Sequence, residues 1–180
     1  AIDLAQAMDE LGVNGVYFRV HHFARQQGSP MTLLAAIAAT TRQIEVGTGV
    51  IDMRYENPLH LAEDAAALDL LSNNRLALGV SRGSPETVVR GYDAFGYTAS
   101  TDPRGADIAR AHFELFLRAI DGEGLAERDP DSPFGAGGGR QRIEPYSPGL
   151  RSRVWWGAGT IGTARWAGQV GVNLMSSTLL

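Results

Sequence analysis

Two glycine-bearing stretches, IEVGTGV at residues 44–50 and RLALGVSRG at residues 75–83, decide the fold of this chain. Each has the apolar and β-branched residues of a buried strand, and each runs into a polar loop. Between them, Asn57-Pro58 is typical of a helix start, and an apolar stripe at helical spacing follows it. A strand, a helix and a second strand in this order predict a unit of a parallel sheet with a right-handed crossover.

The alternation extends in both directions along the chain. Strand patterns at 15–20, 154–159 and 172–177 are separated by helical patterns. Two parallel architectures fit, an open doubly wound sheet and a closed (β/α)8 barrel. The length of 180 residues favours the open sheet, because a barrel typically needs about 250 residues. However, the chain begins in a helix and stops on an uncovered strand, which is the pattern expected of a segment of something longer.

The composition excludes several classes of function. The net charge of -4 comes from 20 acidic and 16 basic residues scattered along the chain, so no basic stripe could bind nucleic acid or anionic lipid. The absence of cysteine excludes disulfides, thiolate metal sites and cysteine nucleophiles. No apolar run approaches the ~20 residues that span a bilayer, and there is no signal peptide pattern. We expect a soluble, cytoplasmic protein with no nucleic acid or membrane partner.

Arg82 is the strongest single candidate for ligand binding. It follows a predicted parallel strand, at the edge where such sheets place their sites. A guanidinium there can bind a phosphate with two parallel hydrogen bonds, while Ser81 and Gly83 leave room for the ligand. The alternative interpretation of Arg82 is a surface salt bridge.

The stretch GAGTIGT at residues 157–163 is the second candidate. Its glycine turn, which includes Gly159, and its hydroxyls at Thr160 and Thr163 stand at the mouth of a predicted helix, where free backbone N–H groups bind anions. The same letters also serve as a plain turn with a helix cap. They form neither a Walker A loop nor a full dinucleotide fingerprint, since no acidic residue follows about 20 positions on.

Two further groups belong to strand ends. His21 and His22 directly follow the strand at 15–20, where an imidazole can act as acid, base or hydrogen-bond donor. Adjacent side chains diverge and no carboxylate stands at ligand spacing, so we predict no metal site. Gly49 is unusual in a buried strand, unless a bulge, a nearby ligand or a neighbouring side chain requires it.

Residues 121–153 have no periodicity and are rich in glycine and proline. A connection of this length is typical of an insertion or a lid. We therefore predict a single domain over residues 1–180 with an irregular insertion or lid segment at 121–153.

Taken in order, these segments resemble the bacterial luciferase-like flavin monooxygenase family. The similarity covers nearly the whole chain except 98–153, where the family has variable insertions. The resemblance implies a (β/α)8 TIM barrel, of which this chain would hold roughly strands 2 to 6 and lack the first strand and the last two. It is carried by AMDELGVNGVYF (7–18), HHF (21–23), SPMTLLAAIAATTRQIEVGTGV (29–50), NPLHLAEDAAALDLLSNNRLALGVSRG (57–83) and VWWGAGTIGTARWAGQVGVNLMSS (154–177).

The resemblance also implies a reaction and a site. Reduced FMN, supplied by a separate flavin reductase, would react with dioxygen to oxygenate a small organic substrate. His21 would lie near the reactive edge of the flavin, and a homodimer would form through the second and third helices. The implied cofactor-binding residues are Arg82, Thr160 and Thr163 at the phosphate, a non-proline cis peptide at Gly49-Val50 against the isoalloxazine ring, and the adjoining Thr48, Ser81 and Gly159.

Two positions depart from the family pattern. Val20 stands where an acid often precedes the histidine pair, and Ser81 stands where luciferases proper have a reactive cysteine. Light emission from long-chain aldehydes is therefore not implied. An F420-dependent oxidoreductase and a non-catalytic flavin-binding relative stay open as alternatives, and Arg82 favours FMN because it matches the family's phosphate-binding arginine.

Overall fold

The computed structural model describes residues 1–25, 28–83, 86–134 and 138–176. Within these ranges no helix is long and apolar enough to cross a membrane. The helices are α1 (Ile2–Glu10), α2 (Pro30–Thr40), α3 (Pro58–Leu71), α4 (Ala106–Ile120) and α5 (Ile161–Gln169), and two short 3-10 helices occupy Gly91–Phe95 and Leu150–Arg153. The strands are β1 (Gly15–Phe18), β2 (Glu45–Thr48), β3 (Ile51–Asp52), β4 (Leu76–Ser81), β5 (Val154–Ala158) and β6 (Asn173–Ser176).

The strands form one parallel sheet in the order of the chain. β1 pairs with β2, β2 with β4, β4 with β5 and β5 with β6. β3 continues the path of β2 and also pairs with β4. A doubly wound sheet reverses its strand order at a switch point, whereas this order runs on in one direction. It is the order of a (β/α)8 barrel wall, and it overturns the preference for an open sheet that length alone suggested.

The helices cover one face of the sheet. Alternate residues of the strands, such as Val46 and Leu78, point toward the helices and are buried in the core. The Phe113 ring of α4 lies 4.6 Å from the Trp156 ring of β5, and both side chains are buried. The opposite face, which we call the inner face, carries small residues at Gly47, Ala77, Gly79, Ser81 and Gly157, and the larger side chains of Tyr17 and Trp155.

Local sequence signals fix where α3 begins. The side chain of Asn57 accepts hydrogen bonds from the backbone N–H groups of Leu59 (3.0 Å) and His60 (3.1 Å), and Pro58 occupies the first turn. The predicted start of this helix is therefore confirmed. On its other faces, Ala62 and Ala66 are buried in the core of the chain itself, so these two alanines do not form part of an exposed dimer face.

The described parts of the irregular segment, residues 121–134 and 138–153, stand between α4 and β5. The Ser147 hydroxyl donates to the buried carboxylate of Asp69 in the last turn of α3 (2.6 Å), and Arg153 donates to the same carboxylate (2.5 Å). These contacts hold the last part of the segment at the amino end of the sheet, and the insertion or lid at 121–153 stays a prediction.

Candidate functional site at the carboxyl edge of the sheet

The carboxyl ends of three strands bring most of the predicted site residues together. Val80 of β4 stands opposite Ile51 of β3 and opposite Trp156 of β5. Residues that follow paired parallel strands are neighbours as well. The loop after β4, with Arg82, is therefore beside the turn after β5, with Thr160.

Small residues and a cis peptide bond mark the sheet at this edge. The Gly49-Val50 peptide bond is cis, as the resemblance implied, and it separates β2 from β3. A Cβ atom added to Gly79 would lie 2.1 Å from the Thr48 carbonyl oxygen, so the close approach of β2 requires glycine there. A Cβ atom added to Gly157 would lie 3.2 Å from Ser81 Cβ and 3.4 Å from Val50 Cγ1, so this position is tightly packed as well.

Arg82 makes no hydrogen bond or ion pair with the residues that the structure describes. Its side chain is partly buried, and its charge contributes to the lowered pKa of Asp102, which is due mainly to a hydrogen bond from the backbone N–H of Ala106. The next residue, Gly83, has a φ of +90° and donates its N–H to the Ser81 hydroxyl (2.7 Å). Arg82 is therefore available to an anion at this edge.

The first turn of α5 supplies hydrogen-bond donors next to Arg82. Thr160 is the N-cap, and its hydroxyl accepts from the backbone N–H of Thr163 (3.2 Å) and donates to the Thr163 hydroxyl (3.0 Å). The N–H groups of Ile161 and Gly162 have no acceptor inside the helix, because the first turn of any helix lacks one. Free N–H groups and the positive end of the helix dipole suit a phosphate. The preceding turn residue, Gly159, is exposed.

Thr48 is placed differently from the other predicted cofactor contacts. Its side chain is fully buried, and its hydroxyl donates to the Gly79 carbonyl oxygen (2.7 Å). It shares the core-facing side of β2 with Val46, since residues two apart in a strand point the same way. The hydroxyl therefore links two strands, and we do not retain it as a ligand-binding group.

The side chains of the two adjacent histidines make different contacts. His21 Nε2 lies 3.2 Å from a guanidinium nitrogen of Arg19, which is exposed. Because Phe18 and Val20 pack on the core, the alternating Arg19 and His21 belong to the inner side of the sheet edge. The ring of His22 instead stacks on Tyr55, with ring centroids 4.3 Å apart. Of the pair, only His21 lies on the side where the predicted cofactor would bind.

His22 and Glu56 border a cavity of about 210 Å³ next to the start of α2. The His22 Nε2 and Glu56 Oε1 atoms are 4.0 Å apart. Burial lowers the pKa of His22, and burial raises the pKa of Glu56 to about 7, with the charges of Asp52 and Asp64 adding to the rise. Among the residues described, no group of three or more His, Asp or Glu side chains is arranged to hold a metal ion.

Replacing Glu56 with Gln should remove a pH dependence of stability. Between the ordinary pKa of 4.5 and the folded value of about 7, the folded state binds a proton that the unfolded state does not. The stability that this proton supplies is therefore lost as the pH rises through that range. We expect the free energy of unfolding of Glu56→Gln, relative to the wild type, to increase by about 2 kcal/mol between pH 4.5 and pH 8, measured by urea titration.

The matched control for this prediction is Glu114→Gln, which alters a carboxylate on the exposed side of α4. Its difference from the wild type should stay constant over the same pH range. A difference for Glu56→Gln that is equally constant would contradict the burial argument.

A buried ion network next to Arg82 escaped the reasoning from sequence. The Arg54 guanidinium donates to both carboxylate oxygens of Asp52, from Nε to Oδ1 (3.0 Å) and from Nη2 to Oδ2 (2.5 Å). It also donates to the Glu86 carboxylate and to the Arg104 carbonyl oxygen (3.2 Å), and the Tyr55 hydroxyl donates to Glu86. The charged side chains of Asp52, Arg54 and Glu86 are 8–10% exposed.

The charges in this network do not cancel, because one guanidinium faces two carboxylates. Burial raises the pKa of Asp52 to about 6, and the hydrogen bonds and charge of Arg54 oppose that rise. The two carboxylates raise the pKa of Arg54 against the effect of burial, so it stays charged. A sequence signal for the network does exist. Two charged residues, Asp52 and Arg54, stand at the end of a buried apolar stretch.

A family model described as luciferase-like monooxygenase matches residues 1–179. The chain belongs to the luciferase-like monooxygenase family. The resemblance found in the sequence is thereby confirmed.

The similarity to luciferase-like proteins holds in sequence and in structure. The oxygenase component of flavin-dependent trigonelline monooxygenase from Acinetobacter baylyi is 33% identical over 100 residues, which are 52% of this chain and 28% of the relative. Monooxygenase RslO1 from Streptomyces bottropensis superposes with a TM-score of 0.75 at 27% identity, over 97% of this chain and 51% of that protein. The chain thus spans about half, or less, of the length of these proteins.

More distant structures share the fold alone. The oxygenating constituent of 3,6-diketocamphane monooxygenase from Pseudomonas putida, in complex with FMN, has a TM-score of 0.74 at 18% identity and covers 97% of this chain and 50% of that chain. The coenzyme F420 dependent tetrahydromethanopterin reductase from Methanopyrus kandleri has a TM-score of 0.69 at 18% identity and covers 98% and 51%. The predicted luciferase-like TIM-barrel fold is confirmed, with this chain as part of it.

The residues of this luciferase-like chain fit a cofactor that has a phosphate and a flat ring. Arg82 and the first turn of α5 could hold a phosphate, because the Arg82 guanidinium has no hydrogen-bond acceptor among the described residues and the first N–H groups of a helix lack one inside it. Ser81, Gly157 and the Val50 side chain border the place where a ring would lie. His21 stands at the same edge.

Proposed function

We propose that this chain forms the cofactor-binding part of a flavin-dependent monooxygenase, which uses reduced FMN and dioxygen to oxygenate a small organic substrate. The observation that carries the proposal is the Arg82 guanidinium, which makes no hydrogen bond or ion pair within the described ranges and stands beside the first turn of α5. Membership of the family and the flavin-dependent relative from Acinetobacter baylyi support it.

Each retained residue has a distinct part in this proposal. Arg82 and the first turn of α5, with Thr160 and Thr163, bind the phosphate dianion through charge and N–H donors. The backbone at Gly49-Val50 and the small residues around Ser81 support the flavin ring at the inner face. When bound, reduced FMN supplies the electrons that dioxygen needs to react with an organic substrate.

His21 is the proposed acid or base of the site. An imidazole can act as acid, base or hydrogen-bond donor in catalysis, and that of His21 lies on the inner side of the sheet edge. Its neighbour Arg19 is 3.2 Å away, so a positive charge stands next to any proton that His21 holds. We infer that the pair favours a negatively charged group of the bound cofactor or substrate at this position.

Reduced flavin must come from a partner in this proposal. The chain's Acinetobacter baylyi relative is named as the oxygenase component of a flavin-dependent monooxygenase, which supports a separate component for flavin reduction. We therefore propose a separate flavin reductase as partner. A homodimer through α2 and α3 stays a prediction.

The competing function is F420-dependent oxidoreduction, because F420-dependent proteins share this fold. Anaerobic titration of the protein with reduced FMN and with reduced F420 separates the two. We expect reduced FMN to bind at least 10-fold more tightly, and the reverse order of affinities would favour hydride transfer. Binding of reduced FMN with no change in the rate of its oxidation by dioxygen would favour a non-catalytic relative.

A further inference from the structure

The buried ion network lies directly under the turn that presents Arg82. Gly83 has a φ of +90°, and a Cβ atom there would lie 1.9 Å from Asp52 Oδ2 and 2.7 Å from a guanidinium nitrogen of Arg54. The backbone of the residue after Arg82 thus rests on the Asp52–Arg54 ion pair. Any shift of that pair moves the turn or leaves a gap beneath it.

Arg54 also ties this turn to the rest of the connection between β4 and α4. Its guanidinium reaches the Glu86 carboxylate and the Arg104 carbonyl oxygen, so it contacts both ends of that connection. Its head group lies 5.3 Å from the ring centroid of Tyr92, and a Cβ atom at Gly105 would lie 2.8 Å from Arg54 Cδ. Described residues near both ends of the connection therefore contact this one buried side chain.

No hydrogen bond or ion pair within the described ranges fixes the direction of the Arg82 side chain. Because it makes no hydrogen bond or ion pair with the described residues, its orientation depends on the backbone at Ser81 and Gly83. Ser81 is held by β4, where it stands opposite Asp52, and Gly83 is held by the ion pair. Both anchors thus converge on Asp52 and its partner Arg54.

We propose that Arg54 is a positioning residue, which uses its bridge between Asp52 and Glu86 to hold the Arg82-Gly83 turn in the geometry that binds the cofactor phosphate. The inference rests on the proposed function of Arg82. Arg54 itself does not touch the cofactor, because Asp52, Glu86 and Tyr92 enclose it. Substitution of Arg54 should therefore weaken the binding of the cofactor phosphate and leave the binding of the flavin ring unchanged.

The test compares the affinities for reduced FMN and reduced riboflavin, which differ only in the phosphate. The dissociation constant for reduced riboflavin divided by that for reduced FMN measures the phosphate contribution in each variant. We expect Arg82→Ala to lower this ratio at least 10-fold, and Arg54→Lys and Glu86→Gln to lower it about 3- to 10-fold while riboflavin affinity changes less than 2-fold. A variant that merely disturbs the structure would bind both ligands more weakly, by the same factor.

The matched control is Arg153→Lys, which alters a guanidinium paired with a buried carboxylate, that of Asp69, at the opposite end of the sheet. It should leave the ratio unchanged. An unchanged ratio in Arg54→Lys and Glu86→Gln, alongside a lowered ratio in Arg82→Ala, would overturn the positioning role alone. An unchanged ratio in Arg82→Ala would overturn the proposed phosphate site and the positioning role with it.

Discussion

Replacing Arg54 with Met should lower the free energy of unfolding by about 3–5 kcal/mol, the loss typical of a buried ion pair from which one partner is removed. The variant keeps a long, unbranched side chain but leaves the carboxylates of Asp52 and Glu86 buried without their cation. Both side chains are about nine-tenths buried, so water cannot replace the guanidinium. Urea unfolding near pH 8, where the carboxylates of the wild type are ionised, measures the loss.

The matched control is Arg118→Met, whose guanidinium also pairs with a carboxylate but is 53% exposed. Exposed pairs contribute about 0–1 kcal/mol, so this variant should unfold almost like the wild type. The loss in Arg54→Met should also shrink toward pH 5, because burial raises the pKa of Asp52 and its orphaned carboxylate can then take up a proton. A loss below about 1 kcal/mol at pH 8 would show that the network is not the buried cluster described above.

The strands and helices were largely predictable because their signals are local. The Asn57-Pro58 cap fixed the start of α3, and the alternation of strand and helix fixed a parallel sheet. Chain length alone, in contrast, favours an open sheet, whereas the structure has the strand order of a barrel. Chain length reports how much of a fold is present, whereas strand order distinguishes the two architectures, and strand order is not a local property.

Side-chain direction within a strand was readable, but only when the alternation was followed residue by residue. Thr48 stands two residues after Val46, which is buried in the core, so its hydroxyl had to face the same way. A position at the end of a strand does not by itself make a side chain accessible to a ligand, and Thr48 is buried. Gly49, one residue further, belongs to the edge where the inner face is open.

The Arg54 network was out of reach for a different reason. Asp52 and Arg54 are close in sequence, but Glu86 and Arg104 come from a connection whose path depends on the tertiary structure. No spacing rule relates these positions. The insertion or lid at 121–153 stays a prediction, and the contacts of Ser147 and Arg153 with Asp69 could not be inferred from spacing either.

Arg82→Ala should weaken the binding of reduced FMN by about 1.5–3 kcal/mol, which is roughly 10- to 150-fold in the dissociation constant. The substitution removes a charged donor from the phosphate and leaves the buried network in place, since Arg82 makes no hydrogen bond or ion pair within the described ranges. The stability of the variant should therefore stay within about 0.5 kcal/mol of the wild type.

The most direct test of the account is the anaerobic titration of reduced FMN into the wild type, Arg82→Ala and the control Arg118→Ala, which alters an exposed arginine in the last turn of α4. The account predicts the roughly 10- to 150-fold loss for Arg82→Ala only, with equal affinities for the wild type and the control. Equal affinities for all three proteins would contradict a phosphate site at Arg82, and with it the proposed cofactor edge.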